Sequence, residues 1–133
     1  LVRRDPGAGD ALDTREVSEE GMMEMQVAQS QDVTVVVPTG DLDMGAADQV
    51  RRVLTELIDK GQVKLVMDLG GVGYIDSSGL GTLVAAMKQA RAAGGNLKLC
   101  ALQDDVRSIF EMTRLIKVMS VHATRQEAVA SWG

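Results

Sequence analysis

Two neighbouring serines stand where the chain is predicted to leave a loop and begin a helix, in the segment Asp76-Ser77-Ser78-Gly79. A short oxygen-bearing side chain at such a place can accept a hydrogen bond from an unpaired N–H of the first turn, a structural role that contributes about 1 kcal/mol. The same place favours an anion, because free N–H groups and the helix dipole point towards it. A hydroxyl exposed there could accept a phosphate that changes the charge of the surface and leaves the fold intact.

A second acidic loop, which carries Asp41 and Asp43, precedes another predicted helix. We expect this loop and the one before Ser77 to lie side by side at one edge of the sheet. Such a neighbourhood raises a metal site of Asp41, Asp43 and Asp76 as an alternative. Solvated helix caps are the interpretation that we favour, and we expect no metal.

Other groups that could do catalytic chemistry are scarce. One histidine, His122, and one cysteine, Cys100, cannot build a His/Cys metal cluster. No acid, base or nucleophile pair has a recognisable catalytic spacing, so we expect a protein that is not an enzyme. We expect His122 on the surface and Cys100 as a small buried hydrophobe in a reducing compartment.

The glycine-rich run before the serines invites comparison with phosphate-binding loops. Neither the P-loop pattern nor G-x-G-x-x-G is present, which argues against nucleotide binding. Gly70, Gly71 and Gly73 are predicted instead to serve a tight turn with positive backbone φ.

Length and composition indicate one domain with an N-terminal extension. The chain has 133 residues, 45% of them hydrophobic, and a net charge of −5, which argues against nucleic acid and gives no reason to expect a membrane surface as partner. No apolar run approaches the roughly 20 residues that a bilayer requires, and the start does not read as a secretory signal, so a cytoplasmic protein is expected. Residues 1–21 are acidic and poor in large apolar side chains, which predicts a flexible tail before a domain at residues 22–133.

Hydrophobic periodicity predicts an α/β domain of order ββαβαβαβα. The first two strands should form an antiparallel hairpin whose second strand ends at Pro38, and the later strands, each reached through a helix, should run parallel. A small mixed, mostly parallel β-sheet with helices packed on it is therefore expected. Asp104 or Asp105 is predicted to cap the third helix and Thr124 the fourth. The predicted strands lie at residues 23–27, 33–37, 63–69, 96–101 and 116–121.

The chain has more methionines than such a fold needs, eight in all. Met67 and Met87 are predicted to pack in the core, and Met112 and Met119 are expected to do the same. A contact surface built from adaptable methionine side chains is the alternative.

Several segments together resemble the STAS domain of bacterial anti-sigma-factor antagonists. They are Gly40-Asp41-Leu42-Asp43, Leu65-Val66-Met67-Asp68-Leu69 and Tyr74-Ile75-Asp76-Ser77-Ser78-Gly79-Leu80-Gly81, with residues 96–101 and 110–113 also in register. The resemblance covers about residues 23–131 and leaves residues 1–21 outside it. The family's fold agrees with the mixed sheet predicted above.

The resemblance implies partner switching. The unphosphorylated antagonist would bind an anti-sigma factor that is also a serine kinase, and phosphorylation of Ser77, with Ser78 as the second candidate, would release it. A PP2C-type phosphatase would restore the binding form. Asp43, Asp76 and Gly79 match positions that the family keeps at this surface, and the nucleotide and metal ions would belong to the partners.

Other uses of the domain stay open beside this one. STAS domains also serve as an accessory subunit in lipid transport, as the cytoplasmic tail of anion transporters and in stress-signalling assemblies. The serine preceded by an aspartate weakens the lipid-transport alternative. A small-ligand module is disfavoured because the sequence indicates no apolar pocket with converging polar groups.

Overall fold

A computed structural model describes residues 2–4, 13–16 and 23–132 of the chain. Within these residues it contains seven strands, four α-helices and one 3₁₀ turn. The strands are β1 (Val2–Arg4), β2 (Asp13–Glu16), β3 (Glu24–Ser30), β4 (Val33–Thr39), β5 (Lys64–Asp68), β6 (Asn96–Cys100) and β7 (Val121–His122). The helices are α1 (Met44–Asp59), α2 (Ser77–Ala92), α3 (Asp104–Met112) and α4 (Arg125–Ala130), and the 3₁₀ turn is Leu115–Lys117.

The strands form one mixed sheet in the spatial order β1-β2-β3-β4-β5-β6-β7. From β3 to α4 the order is the predicted ββαβαβαβα, with β3 and β4 antiparallel and β4 to β7 parallel. The short strands β1 and β2 extend the antiparallel side of the sheet and were not predicted. The flexible tail at residues 1–21 falls mainly on residues outside the described part of the chain, and it stays a prediction together with its boundary at residue 22.

The order of the parallel strands never reverses, and this decides how the helices are layered. Right-handed crossovers between successive neighbours put their helices on the same face of the sheet. In agreement with this, α1, α2 and α3 share one core with that face, whereas α4 packs on the other face against a smaller cluster around Val35, Val66 and Cys100. The buried side chains of the large core come from the sheet and from α1, α2 and α3. Among them are Met25, Val36, Leu54, Leu65, Met67, Leu83, Met87, Leu99 and Phe110.

The second strand was predicted to end at Pro38, but it continues to Thr39. Pro38 lies opposite Met25 in β3, beyond the last residue of β4 that pairs with β5, which is Val36. A proline without an N–H is tolerated where a strand has a neighbour on one side. The prediction was wrong because a proline interrupts strand pairing only where a neighbouring strand needs its N–H as a hydrogen-bond donor.

The predicted strand at residues 116–121 is also wrong. Arg114 adopts a left-handed conformation with φ 63°, and the chain then forms a 3₁₀ turn before a strand of two residues. Leu115 and Ile116 pack partly buried against the core, and Met119 is 3% exposed. An apolar run can thus fill a core without the alternation of a strand.

The predicted caps hold for one helix of the two. Thr124 caps α4 by accepting a hydrogen bond from the N–H of Glu127 at 3.1 Å. For α3 the prediction was wrong, because Gln103 is the N-cap residue and makes no side-chain cap bond, while Asp104 and Asp105 occupy the first turn. Their charges still favour that turn through the helix dipole.

The predictions for the methionines are likewise confirmed only in part. Met67, Met87 and Met119 are buried as expected, but Met112 is 82% exposed at the end of α3. Its place in the core was therefore predicted wrongly.

Candidate functional site

Two loops lie side by side at the carboxyl edge of the parallel strands, as predicted. The loop after β4 pairs with the loop after β5 through Leu42 and Ile75. The N–H of Leu42 donates to the carbonyl of Tyr74 at 2.9 Å, and the N–H of Asp76 donates to the carbonyl of Leu42 at 3.3 Å. This parallel pairing brings the N-termini of α1 and α2 together.

The carboxylate of Asp76 joins the two helix N-termini. Its Oδ1 accepts the N–H of Gly79 at 3.0 Å, which caps α2, and its Oδ2 accepts the N–H of Met44, the first residue of α1, also at 3.0 Å. Asp43 caps α1 in the ordinary way by accepting the N–H of Ala46 at 3.2 Å. Both acids therefore act as helix caps.

The two serines differ in their surroundings. Ser77 is the first residue of α2 and is exposed, whereas Ser78 is half-buried. Because Asp76 caps the helix, the cap does not need a serine hydroxyl. Ser77 thus presents its hydroxyl to solvent at the N-terminus of α2.

Gly79 is buried where α2 crosses the paired loops. A Cβ built on Gly79 would lie 2.3 Å from the carbonyl oxygen and 2.9 Å from the Cγ of Leu42, distances that no side chain tolerates. The glycine therefore allows the first turn of α2 to lie directly on the backbone of the neighbouring loop, and this contact fixes the position of Ser77.

The glycines of the preceding loop do not have the positive φ that was predicted for them. Positive φ among the described glycines is found at Gly40, Gly61 and Gly94. Gly71 instead relieves a close approach, since its Cβ would lie 3.2 Å from the carbonyl oxygen of Pro38. Lack of space, and not handedness of the backbone, explains a glycine at that position.

A partly buried ion pair supports the same loop. Asp68, at the end of β5, accepts the Nε of Arg125 at 2.9 Å and the N–H of Gly70 at 3.0 Å. The side-chain amide of Gln103 donates to the carbonyl of Gly70 at 2.9 Å. Sequence reasoning did not find the roles of Arg125 and Gln103, which join the loop only through the tertiary fold.

The remaining chemical groups do not converge on this edge. Cys100 is fully buried, and burial, reinforced by the negative charge of Asp68, raises the pKa of its thiol to about 12. His122 was expected on the surface, but it is half-buried, and its Nε2 is buried without a partner among the described residues. The described residues contain no group of three acids, histidines or cysteines that could hold a metal ion.

Binding crevices in α/β sheets form where the strand order reverses. In the described part of the sheet the strand order does not reverse, so the topology gives no reason to expect a crevice at the surface of the paired loops. Two large apolar side chains are exposed on that surface, Met44 at 75% and Tyr74 at 51%, and the sequence did not single them out. Among the described helices none is both long and apolar enough to cross a bilayer.

Comparison with known proteins agrees with this architecture. A family model described as STAS domain matches residues 24–128. BtrV of Bordetella bronchiseptica, provisionally named an anti-sigma factor antagonist, is 34% identical over 93 residues, which cover 70% of this chain and 80% of that protein. The anti-sigma-B factor antagonist of Bacillus subtilis is 30% identical over 105 residues, covering 79% of this chain and 95% of that one.

A solved structure provides the same fold. The Bacillus cell fate determinant SpoIIAA in its phosphorylated form matches with a TM-score of 0.65 and 24% identity, over 82% of this chain and 99% of that one. At this identity the likeness concerns the fold. Since the family model spans β3 to α4, the sheet and the helices that form the paired loops, this chain belongs to the STAS domain family.

Proposed function

We propose that this chain is an anti-sigma factor antagonist that works by partner switching. Its unphosphorylated form binds an anti-sigma factor that is also a serine kinase, and phosphorylation of Ser77 dissociates the complex. The observation that carries this proposal is the exposed hydroxyl of Ser77, on the first residue of a helix that Asp76 already caps. The names of the relatives from Bordetella and Bacillus support the class of function.

The covalent step transfers the γ-phosphoryl group of ATP to Oγ of Ser77. The new O–P bond forms as the bond to the leaving ADP breaks, and the hydroxyl proton passes to a base of the kinase. ATP and Mg²⁺ belong to the kinase. In the return step, water attacks the phosphorus, the bond to Oγ of Ser77 breaks, and inorganic phosphate leaves as Oγ takes up a proton; a PP2C-type phosphatase with its own metal ions catalyses this step. This chain is a substrate in both steps and not a catalyst, and we assign the cycle to the cytoplasm.

Ser77 is favoured over Ser78 because a kinase must reach the hydroxyl. Ser77 is exposed and Ser78 is half-buried. Asp43, Asp76 and Ser78 would border the contact surface. Gly79 is buried, so its contribution is to seat α2 against Leu42 and thereby to hold Ser77 at the surface.

Release follows from charge and desolvation. Phosphorylation adds about −1.5 to −2 charges to a surface that already carries Asp76 and Asp43. Docking would remove that charge from water, which costs several kcal/mol when no partner compensates it, and each 1.4 kcal/mol weakens binding tenfold. We therefore expect a loss of affinity of about a hundredfold or more. The domain itself should stay folded, because the N-terminus of α2 favours the anion.

The decisive experiment is phosphopeptide mass spectrometry after incubation with ATP, Mg²⁺ and a purified anti-sigma factor of the serine-kinase class from the same organism. One phosphate on Ser77, absent in Ser77→Ala and retained in the matched Ser78→Ala variant, is the expected result. Titration calorimetry on the two forms should then show the loss of affinity. No phosphate with an active kinase, or unchanged affinity after complete phosphorylation, would contradict the proposal and favour an accessory STAS subunit that is not switched.

A further inference from the structure

Large apolar side chains are exposed at two distinct places among the described residues. Met44 and Tyr74 lie at the edge that carries Ser77, whereas Met112, 82% exposed, and Val118, 50% exposed, lie elsewhere. An isolated exposed apolar residue needs no explanation, but two of them around one proposed modification site do.

The backbone contacts place Met44 and Tyr74 on the same edge. Met44 donates its N–H to the carboxylate of Asp76, the residue before Ser77. The carbonyl of Tyr74 accepts from Leu42, two residues before Met44. Met44, at the start of α1, and Tyr74, in the loop before α2, are therefore both close to the first turn of α2.

Val118 lies at the opposite end of α2. Its carbonyl accepts a hydrogen bond of 2.9 Å from Arg91, which is in the last turn of that helix. A helix of 16 residues is about 24 Å long, so a contact with its last turn places Val118 well away from Ser77. Met112, at the C-terminus of α3, is also remote from the carboxyl edge where α3 begins.

Along the two paired loops and the first turns of the helices that follow them, the charged residues have one sign. Residues 39–46 and 69–82 contain Asp41, Asp43 and Asp76 but no lysine or arginine. Asp41 is exposed, and the other two are half-buried. The edge is thus a pair of apolar side chains with an acidic border, and its complement is an apolar pocket with a basic border.

We infer that Met44 and Tyr74 are the anchors by which this chain docks on the serine kinase, an inference that rests on the proposed function. The kinase surface that receives them would carry an apolar pocket surrounded by lysine or arginine side chains. Tyrosine is common among the residues that dominate binding energy, and methionine adapts its shape to a pocket. Asp76, the residue before Ser77, accepts the N–H of Met44, so a phosphate on Ser77 would be placed at the docked contact.

The test measures the dissociation constant of the unphosphorylated protein and the purified kinase for a set of single variants. Tyr74→Ala and Met44→Ala should each weaken binding about tenfold. The matched controls, Met112→Ala and Val118→Ala, remove equally exposed apolar side chains from the remote sites and should change it less than about twofold. Asp41→Lys should slow association and flatten its dependence on salt.

All substituted side chains are exposed, so circular dichroism and melting temperature should match those of the unchanged protein. Equal affinities for Tyr74→Ala, Met44→Ala and the unchanged protein would overturn the inference and leave the proposed function in place. An equal loss in the remote controls would overturn it as well. If the unchanged protein neither binds the active kinase nor becomes phosphorylated on Ser77, both the proposed function and the inference fail.

Discussion

The N–H of Met44 donates a hydrogen bond of 3.0 Å to Oδ2 of Asp76, so one carboxylate holds the first residue of α1 and, through Gly79, the first turn of α2. A cap in an isolated helix end serves its own helix. Here the cap also fixes the angle between α1 and α2. It thereby fixes the position of Ser77, the residue that follows it.

Replacement of Asp76 should therefore cost more than replacement of Asp43, which caps α1 alone. We expect Asp76→Ala to lower the free energy of unfolding by about 1–3 kcal/mol and Asp43→Ala by about 1 kcal/mol. Asp76→Asn should fall between them, because one carbonyl oxygen remains to accept. Urea denaturation followed by circular dichroism measures the difference, and equal losses for the two alanine variants would contradict the bridging role.

Two glycines of α2 offer a matched pair. Gly79→Ala should destabilise the fold by about 1–3 kcal/mol, because its Cβ meets the backbone of Leu42 at 2.3 Å. Gly81→Ala should instead stabilise it by about 0.5–1 kcal/mol, since nothing lies within 4 Å of the added Cβ and alanine favours a helix. Thermal unfolding of both variants checks this. Opposite signs are expected, and the same sign for both would refute the account.

Cys100 gives a prediction about pH. Its thiol has an ordinary pKa of 9.0 in the unfolded chain, and burial raises the pKa to about 12 in the folded one. The folded state thus holds the proton more tightly, so this contribution is present below pH 9 and is lost as pH rises towards 12. Unfolding curves for the unchanged protein and Cys100→Ala measured across this range should converge with rising pH. A thiol reagent at pH 8 should modify Cys100 only when denaturant unfolds the chain.

The ion pair between Arg125 and Asp68 should contribute more to the stability of the fold than ion pairs on the surface. Arg125→Ala leaves the mostly buried carboxylate of Asp68 without its cation and should cost about 1–3 kcal/mol. Arg51→Ala, which removes an exposed partner of Asp48, should change stability very little. Amide exchange of Gly70 should accelerate in Arg125→Ala, because its acceptor is the same carboxylate. Unchanged exchange at Gly70 would show that the pair does not support the loop.

Sequence patterns predicted what depends on neighbours along the chain. The hairpin at β3 and β4 and the N-terminus of α2 at Ser77 are both local patterns, and the structure confirms them. The sequence also predicted that the two acidic loops lie side by side, because parallel strands bring their carboxyl ends to the same edge of the sheet.

Features that depend on distant residues could not be predicted in that way. Arg125 meets Asp68 across 57 positions, and no local pattern connects them. The 3₁₀ turn after α3 depends on the left-handed conformation of Arg114, which an arginine seldom adopts. The exposure of Met44 and Tyr74 depends on which faces the neighbouring loops leave open, and no local pattern predicts it.

The sequential strand order has a consequence for how the chain folds. Each strand pairs with the strand before it, so no later strand has to enter between two that are already joined. Contacts between sequence neighbours require short loops to close, and folding rates rise as such contacts become a larger share of the whole. The parallel part of the sheet can therefore assemble one β–α unit at a time, in the same direction as synthesis on the ribosome. The pairing of the two loops and the caps at Asp76 could form once α2 has docked, whereas the support from Gln103 and Arg125 would arrive only with α3 and α4.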